Sequence, residues 1–380
     1  MNACVPVALV FFVATAVTIA GDGGEDPLKP GARKTQPSTE RTLRLPEVPH
    51  RYADIDLPIH FRNPAAGRFD NTPSGNPVTD HGATLGRVLF YDTRLSANNT
   101  IACGSCHVQK YAFADPNRFS RGFHDGLTDR HAMTIANARY HPRARFFWDE
   151  RGANLEEMVL MPVANSLEMG LRLEQLPAIL GHDKQYPELF RQAFGDPGID
   201  NVRISSALAQ FLRAMVSYQA KYDHARARAR SMTDDFTDFT PQENRGKALF
   251  LRHCSLCHLP DQEAHFIMIE PVNTGLDEDT THSDGGVGDI TVNPRDIGRF
   301  KSPSLRNVEV TGPYMHDGRF PTLDAVLEHY SSGGKKHPNK DVRIQPLHFT
   351  NSEKAALIAF LKTLTDPTFL ADPKFSDPFE

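Results

Sequence analysis

Apolar residues recur every three or four positions through several stretches of this 380-residue chain, while alternating β-branched runs are scarce. That period predicts a mainly α fold. The first helix is expected over His81 to Leu95. Others are expected over Leu155 to Met161, over Leu173 to Phe194 with a break around Gly181 to Tyr186, and over Val202 to Tyr222. Thr240-Pro241-Gln242-Glu243 carries a helix-start signature running on to Leu251: threonine caps, proline fills the first turn, and glutamate completes a capping box. The same logic starts a last helix, Ser352 to Leu364, at Thr350 with Glu353. Order is expected to begin near Leu57.

Val5 to Ala20 is uniformly apolar and a polar stretch follows it. The run is short of the ~20 residues of a membrane span and suits a signal-peptide core over residues 1–20, with cleavage after Ala20. No Lys or Arg precedes it, which leaves an uncleaved anchor as the alternative. Residues 21–50 lack apolar periodicity and read as a flexible tether. Charge rises and periodicity stops between Arg226 and Phe239, dividing the folded part into an N-terminal domain, 51–230, and a C-terminal domain, 231–380. Asp261 to Phe300 contains the acidic, glycine-rich DEDTTHSDGGVGD, expected to be a solvated loop because it lacks the ligand spacing of an EF-hand. The net charge is −5 with no basic run, which argues against nucleic acid as a partner.

Four of the five cysteines fall in two copies of one pattern, Cys103-Gly-Ser-Cys106-His107 and Cys254-Ser-Leu-Cys257-His258. Two thiols at that spacing reach the two vinyl groups of one porphyrin, and the next residue brings its imidazole beneath the iron, so the pattern reads as attachment of two haem c groups. A redox disulfide does not need the histidine, and a four-cysteine zinc site would leave both histidines unexplained. The fold class expected is therefore two cytochrome-c-like helical domains, each with one covalent haem. Attachment of haem c outside the bacterial cytoplasm agrees with export, making the periplasm the expected compartment.

With these motifs placed, the chain resembles the bacterial di-haem cytochrome c peroxidase and MauG family from about Gly82 to Thr365. The resemblance rests on LFYDTRLSANNTIACGSCH, FFWDERGANLEEMVLMPVANSLEMG and FKSPSLRNVEVTGPYMHDGRFPTLDAVLEHYSSGG, in that order. It implies that Trp148 lies between the haems as an electron-transfer residue. It also implies that Glu168 is the distal carboxylate, able to move a proton between the two oxygens of a peroxide. Phe123 stands where many members carry a switchable histidine ligand, so the peroxidatic iron is expected to stay open. His124 is read as a solvent-facing loop side chain, with distal ligation after a small loop shift as the alternative. Tyr330 stands where typical members present an axial methionine and MauG-type members a tyrosine, which lowers the second haem's potential; the competing ligands are Met315 or a nearby histidine. A calcium ion between the domains would draw on Thr311 and Pro313 carbonyls and on His131, which replaces an asparagine and is a poor calcium ligand. Met158 replaces a pocket glutamine.

The reading implied is a di-haem peroxidase reducing hydrogen peroxide to water. His107 and His258 are its proximal ligands, and electrons come from a small cytochrome c or a cupredoxin. Two alternatives use the same haems: a MauG-like enzyme that oxidises residues of a partner protein through a high-valent haem state, and an electron carrier without catalysis. Family members often pair into homodimers; no apolar face in the sequence demands it.

Overall fold

The computed structural model describes residues 41–258, 264–278 and 284–379. The signal run, most of the tether, and parts of the acidic loop and of the stretch after His258 lie outside the described residues. Among those described, the chain is helical, and its β-pairing is limited to isolated bridges. The mainly α expectation therefore holds. No helix among the described residues is long and apolar enough to cross a membrane.

Two helix pairs organise two cores in the same way. In the first, the helix Asp80–Tyr91 crosses the helix Asn201–Ala214 at Gly86, where a Cβ would sit 2.0 Å from the Ala207 carbonyl oxygen. In the second, Pro241–His253 crosses Asn351–Lys362 at Gly246, where a Cβ would sit 1.9 Å from the Ala356 carbonyl. Only glycine permits backbones to approach this closely. Around the first crossing Leu85, Leu89, Phe90, Phe113 and Phe211 are fully buried, and around the second Phe250, Leu357 and Phe360. Each such side chain contributes about 1.5–3 kcal/mol of apolar burial.

Both capping boxes form as expected, Thr240 with Glu243 and Thr350 with Glu353. The first expected helix stops at Tyr91, and Thr93–Leu95 forms a separate 3-10 turn because the Asp92 carboxylate accepts from the Arg94 amide at 2.9 Å. The helix expected over Val202 to Tyr222 ends at Ala214, and 215–219 run extended before a new helix, Lys221–Arg228. The cause is tertiary. The Tyr218 and Gln219 amides donate to Asp366 Oδ2 at 3.0 and 2.9 Å, and the Ser217 amide donates to Asn137 Oδ1 at 2.8 Å. These side-chain acceptors replace the helical carbonyls.

The last residues of the chain return to the first core. Phe369 and Phe375 are buried there, and Tyr91 and Arg87 donate to the Phe375 and Ser376 carbonyls at 2.7 and 2.6 Å. Beside the extended segment, Arg306 clamps Asp223 with two contacts of 2.6 and 2.8 Å, and His60 Nε2 lies 2.8 Å from the same carboxylate. All three side chains are buried.

Candidate haem sites and the wall between them

Cys103–Cys106 forms a single helical turn, placing both thiols on one side, and the His107 amide closes it on the Cys103 carbonyl at 2.9 Å. The second motif repeats the closure, with the His258 amide 2.9 Å from the Cys254 carbonyl. None of the four cysteines is in a disulfide. Burial pushes the Cys103 and Cys254 thiols up to about 12, so they are protonated before attachment.

The imidazoles are oriented by a device that repeats in both motifs. His107 Nδ1 lies 2.8 Å from the Phe113 carbonyl and His258 Nδ1 lies 3.3 Å from the Phe266 carbonyl. A carbonyl only accepts, so Nδ1 carries the proton and Nε2 presents its lone pair. Phe113 and Phe266 both take positive φ, 61° and 52°, which turns their carbonyls toward the rings. Burial holds both imidazoles below the ordinary histidine range, His258 at about 4, so they are neutral, as metal ligation requires. Sequence reasoning missed these two phenylalanines, because no residue type announces a backbone acceptor.

Each motif opens onto a cavity. The first, about 660 Å³, is lined by Cys103, Cys106 and His107, and across it by Glu168, Asn165 and Met158. The second, about 270 Å³, is lined by Cys254, Cys257, His258 and Tyr330. The first volume lies within the range of cofactor sites and the second just below it. Trp148 and His131 line both, so one wall separates the two cavities. The Trp148 indole donates to the His131 carbonyl at 2.7 Å.

Glu168 sits in a tight turn where Asn165 Nδ2 donates to its Oε1 at 2.8 Å. Burial raises its carboxyl above the ordinary range, with Arg151 and Asn165 opposing. The Phe123 amide donates to the Glu168 carbonyl at 2.9 Å, and the Phe123 ring packs on Gly170, where a Cβ would sit 2.2 Å from it. Ser120, Arg121 and Gly122 reach the first cavity; Phe123 and His124 do not line it. His124 is exposed, and its ring lies tilted at 37° against that of Phe123, with centroids 3.8 Å apart.

Tyr330 is carried by the helix Leu323–Ser332, capped by Thr322. Its signal was present in the sequence as Leu323, Val326, Leu327 and Tyr330 at helical spacing. Among the described residues no group hydrogen-bonds the Tyr330 hydroxyl. Burial, then Cys257 and Cys254, raise it well above the ordinary phenol range. Met315 lines the same cavity, while His316 stacks on Phe300 at 3.7 Å and 8°.

Thr311, Pro313 and His131 share the wall of the second cavity, but they bring no carboxylate. Among the described residues no group of three or more His, Cys, Asp or Glu side chains is placed to hold a metal ion. The backbone carbonyls of Thr311 and Pro313 are donors a hard cation accepts, and the His131 imidazole is not.

The two motif cavities on a helical frame define a protein with two covalent haem c groups. Residues 80–231 match the di-haem cytochrome c peroxidase family. The methylamine utilization protein MauG of Methylorubrum extorquens is 32% identical over 332 residues, 84% of this chain and 87% of its own. The cytochrome c551 peroxidase of Nitrosomonas europaea is 31% identical over 284 residues, 74% of this chain and 79% of its own. A crystal structure of a MauG-like protein associated with microbial copper homeostasis aligns with a TM-score of 0.72 at 34% identity, covering 80% of this chain and 95% of that one. The chain therefore belongs to the di-haem cytochrome c peroxidase and MauG family, and it is an oxidoreductase of the cytochrome c peroxidase type.

Proposed function

We propose that this protein reduces hydrogen peroxide to water in the first cavity. The two electrons come from a small cytochrome c or a cupredoxin, entering by the second cavity and passing Trp148. The observation carrying this reading is Glu168, a partly desolvated carboxylate on the wall of the cavity that also holds His107. When bound, the haem iron supplies the redox chemistry. His107 and His258 serve as proximal ligands and Tyr330 as the second haem's other axial ligand. Glu168 takes a proton from one peroxide oxygen and returns it to the other, while Asn165 holds the carboxylate in place. Residues 51–230 form the peroxidatic domain and 231–380 the electron-entry domain, and the protein works in the periplasm after export. The test is steady-state oxidation of a reduced cytochrome c or cupredoxin by peroxide; holoprotein that turns over neither would refute the reading.

A second reading is favoured by two observations. Phe123 packs on Gly170 where a switch ligand would be needed, and Tyr330 lines the second cavity together with Cys254, Cys257 and His258. Both suit a MauG-like enzyme that oxidises side chains of a partner protein. That role requires slow donor turnover together with oxygen or dehydrogenation mass shifts on a partner's aromatic residues. A plain electron carrier would have both irons six-coordinate, so a high-spin ferric resonance in the isolated protein excludes it.

A further inference from the structure

The wall between the cavities carries a set of buried donors that nothing in the described polypeptide satisfies. Lys301 is only 8% exposed and lines both cavities. Among the described residues its ammonium has neither a hydrogen-bond acceptor nor an ion-pair partner. His131, also on both walls, and His141, on the first, are each 3% exposed, and all four of their ring nitrogens lack partners. The carboxylate that acts on Lys301, Glu150, meets Arg143 Nε at 3.0 Å through Oε2, while its buried Oε1 has no hydrogen-bond partner and makes no hydrogen bond or ion pair with Lys301. Lys301 and Arg143 both disfavour a charge on His141, so the three lie within electrostatic reach of one another. Trp148 ties the wall together: its indole donates to the His131 carbonyl at 2.7 Å and its own carbonyl accepts from the Lys301 amide at 2.8 Å.

A buried ammonium without a contacting acceptor is costly, and so are buried imidazoles without partners. An anion from outside the polypeptide removes both costs at once. Haem brings two propionate carboxylates, and only the first cavity collects all three side chains on its wall. We propose that Lys301, His131 and His141 form a carboxylate cradle for the propionates of the first haem. The inference rests on the first cavity holding a haem, not on which substrate is oxidised. A fixed positive charge beside that haem favours the ferrous state, in which the iron carries less positive charge, so the cradle raises its potential.

The test is spectropotentiometric titration of the two-haem holoprotein, resolving the two haems by their spectra, with Lys301→Met and Lys301→Arg. The expected result is a first-haem potential lowered in Lys301→Met and held near wild type in Lys301→Arg, with an infrared carboxylate band, linked to first-haem reduction, that shifts in the Met variant. An unchanged first-haem potential in Lys301→Met, or a drop confined to the second haem, would overturn the proposal. So would a wild-type potential that moves with added acetate, since the cradle would then take a free carboxylate. If Lys301→Met does not assemble, His141→Gln and His141→Leu decide. Glutamine still donates to a carboxylate and leucine does not, so the cradle requires the lower potential in leucine; equal potentials overturn it.

Discussion

His107 holds its Nδ1 2.8 Å from the carbonyl oxygen of Phe113, and that carbonyl points inward because Phe113 adopts a φ of 61°. A β-branched side chain tolerates this backbone worst. Phe113→Val should therefore be less stable than Phe113→Leu by about 1 kcal/mol, although both lose the same ring. Thermal melts of the two holoproteins compare them; equal melting temperatures would mean that the conformation stores no strain.

Glu168 must be ionised to take a proton. Because burial raises its carboxyl, with Arg151 and Asn165 opposing, kcat/KM for peroxide should climb with pH through a value above the ordinary carboxylate range. Glu168→Gln should lose about 10²–10⁴-fold in turnover and abolish that limb, while both haems remain attached. A Gln variant within a few fold of wild type would remove Glu168 from the chemistry.

Trp148 connects the cavities and anchors His131. Trp148→Phe keeps an aromatic ring but leaves the His131 carbonyl without its donor, costing about 1–3 kcal/mol. Electron equilibration between the haems, followed by stopped-flow reduction, should slow as well. An unchanged rate would show that electrons take another path.

With Tyr330 as the proposed axial ligand, Tyr330→Met replaces a phenol oxygen by a thioether, so the second haem's potential should rise and its ferric resonance should change. If the paramagnetic resonance spectrum of the variant matches wild type, the axial ligand is another residue, Met315 being on the same wall.

Burial alone would raise Asp223, but Arg306 and His60 outweigh it and hold its carboxyl below the ordinary range. A depressed carboxylate stabilises the fold above its unfolded value, near 3.9, and that contribution is lost as pH falls through the folded value. Asp223→Asn should cost about 3–5 kcal/mol at neutral pH, since it strands the buried Arg306, and it should flatten the acid limb of stability. Urea melts at stepped pH would contradict this if variant and wild type lost stability in parallel as pH fell.

Much of the site was legible before folding. The two Cys-x-x-Cys-His motifs are local chemistry, complete within five residues, and the capping boxes at Thr240 and Thr350 need only their own turn. The break between Gly181 and Tyr186 was likewise readable. The early end of the helix at Ala214 was not, because the acceptor that ends it, Asp366, lies some 150 residues away. Phe113 and Phe266 were also invisible, since their contribution is a backbone carbonyl and a φ angle.

The amino-acid order by itself determined a helical frame with two Cys-x-x-Cys-His motifs for two haems, because such motifs and helix caps act over a few bonds. Only the tertiary structure decided that Trp148, His131 and Lys301 form one wall between two cavities, that Phe123 turns onto Gly170, and that the C-terminal tail seals the first core. Those relations join residues far apart in the chain, and packing and buried polar satisfaction select them only once the whole chain has closed.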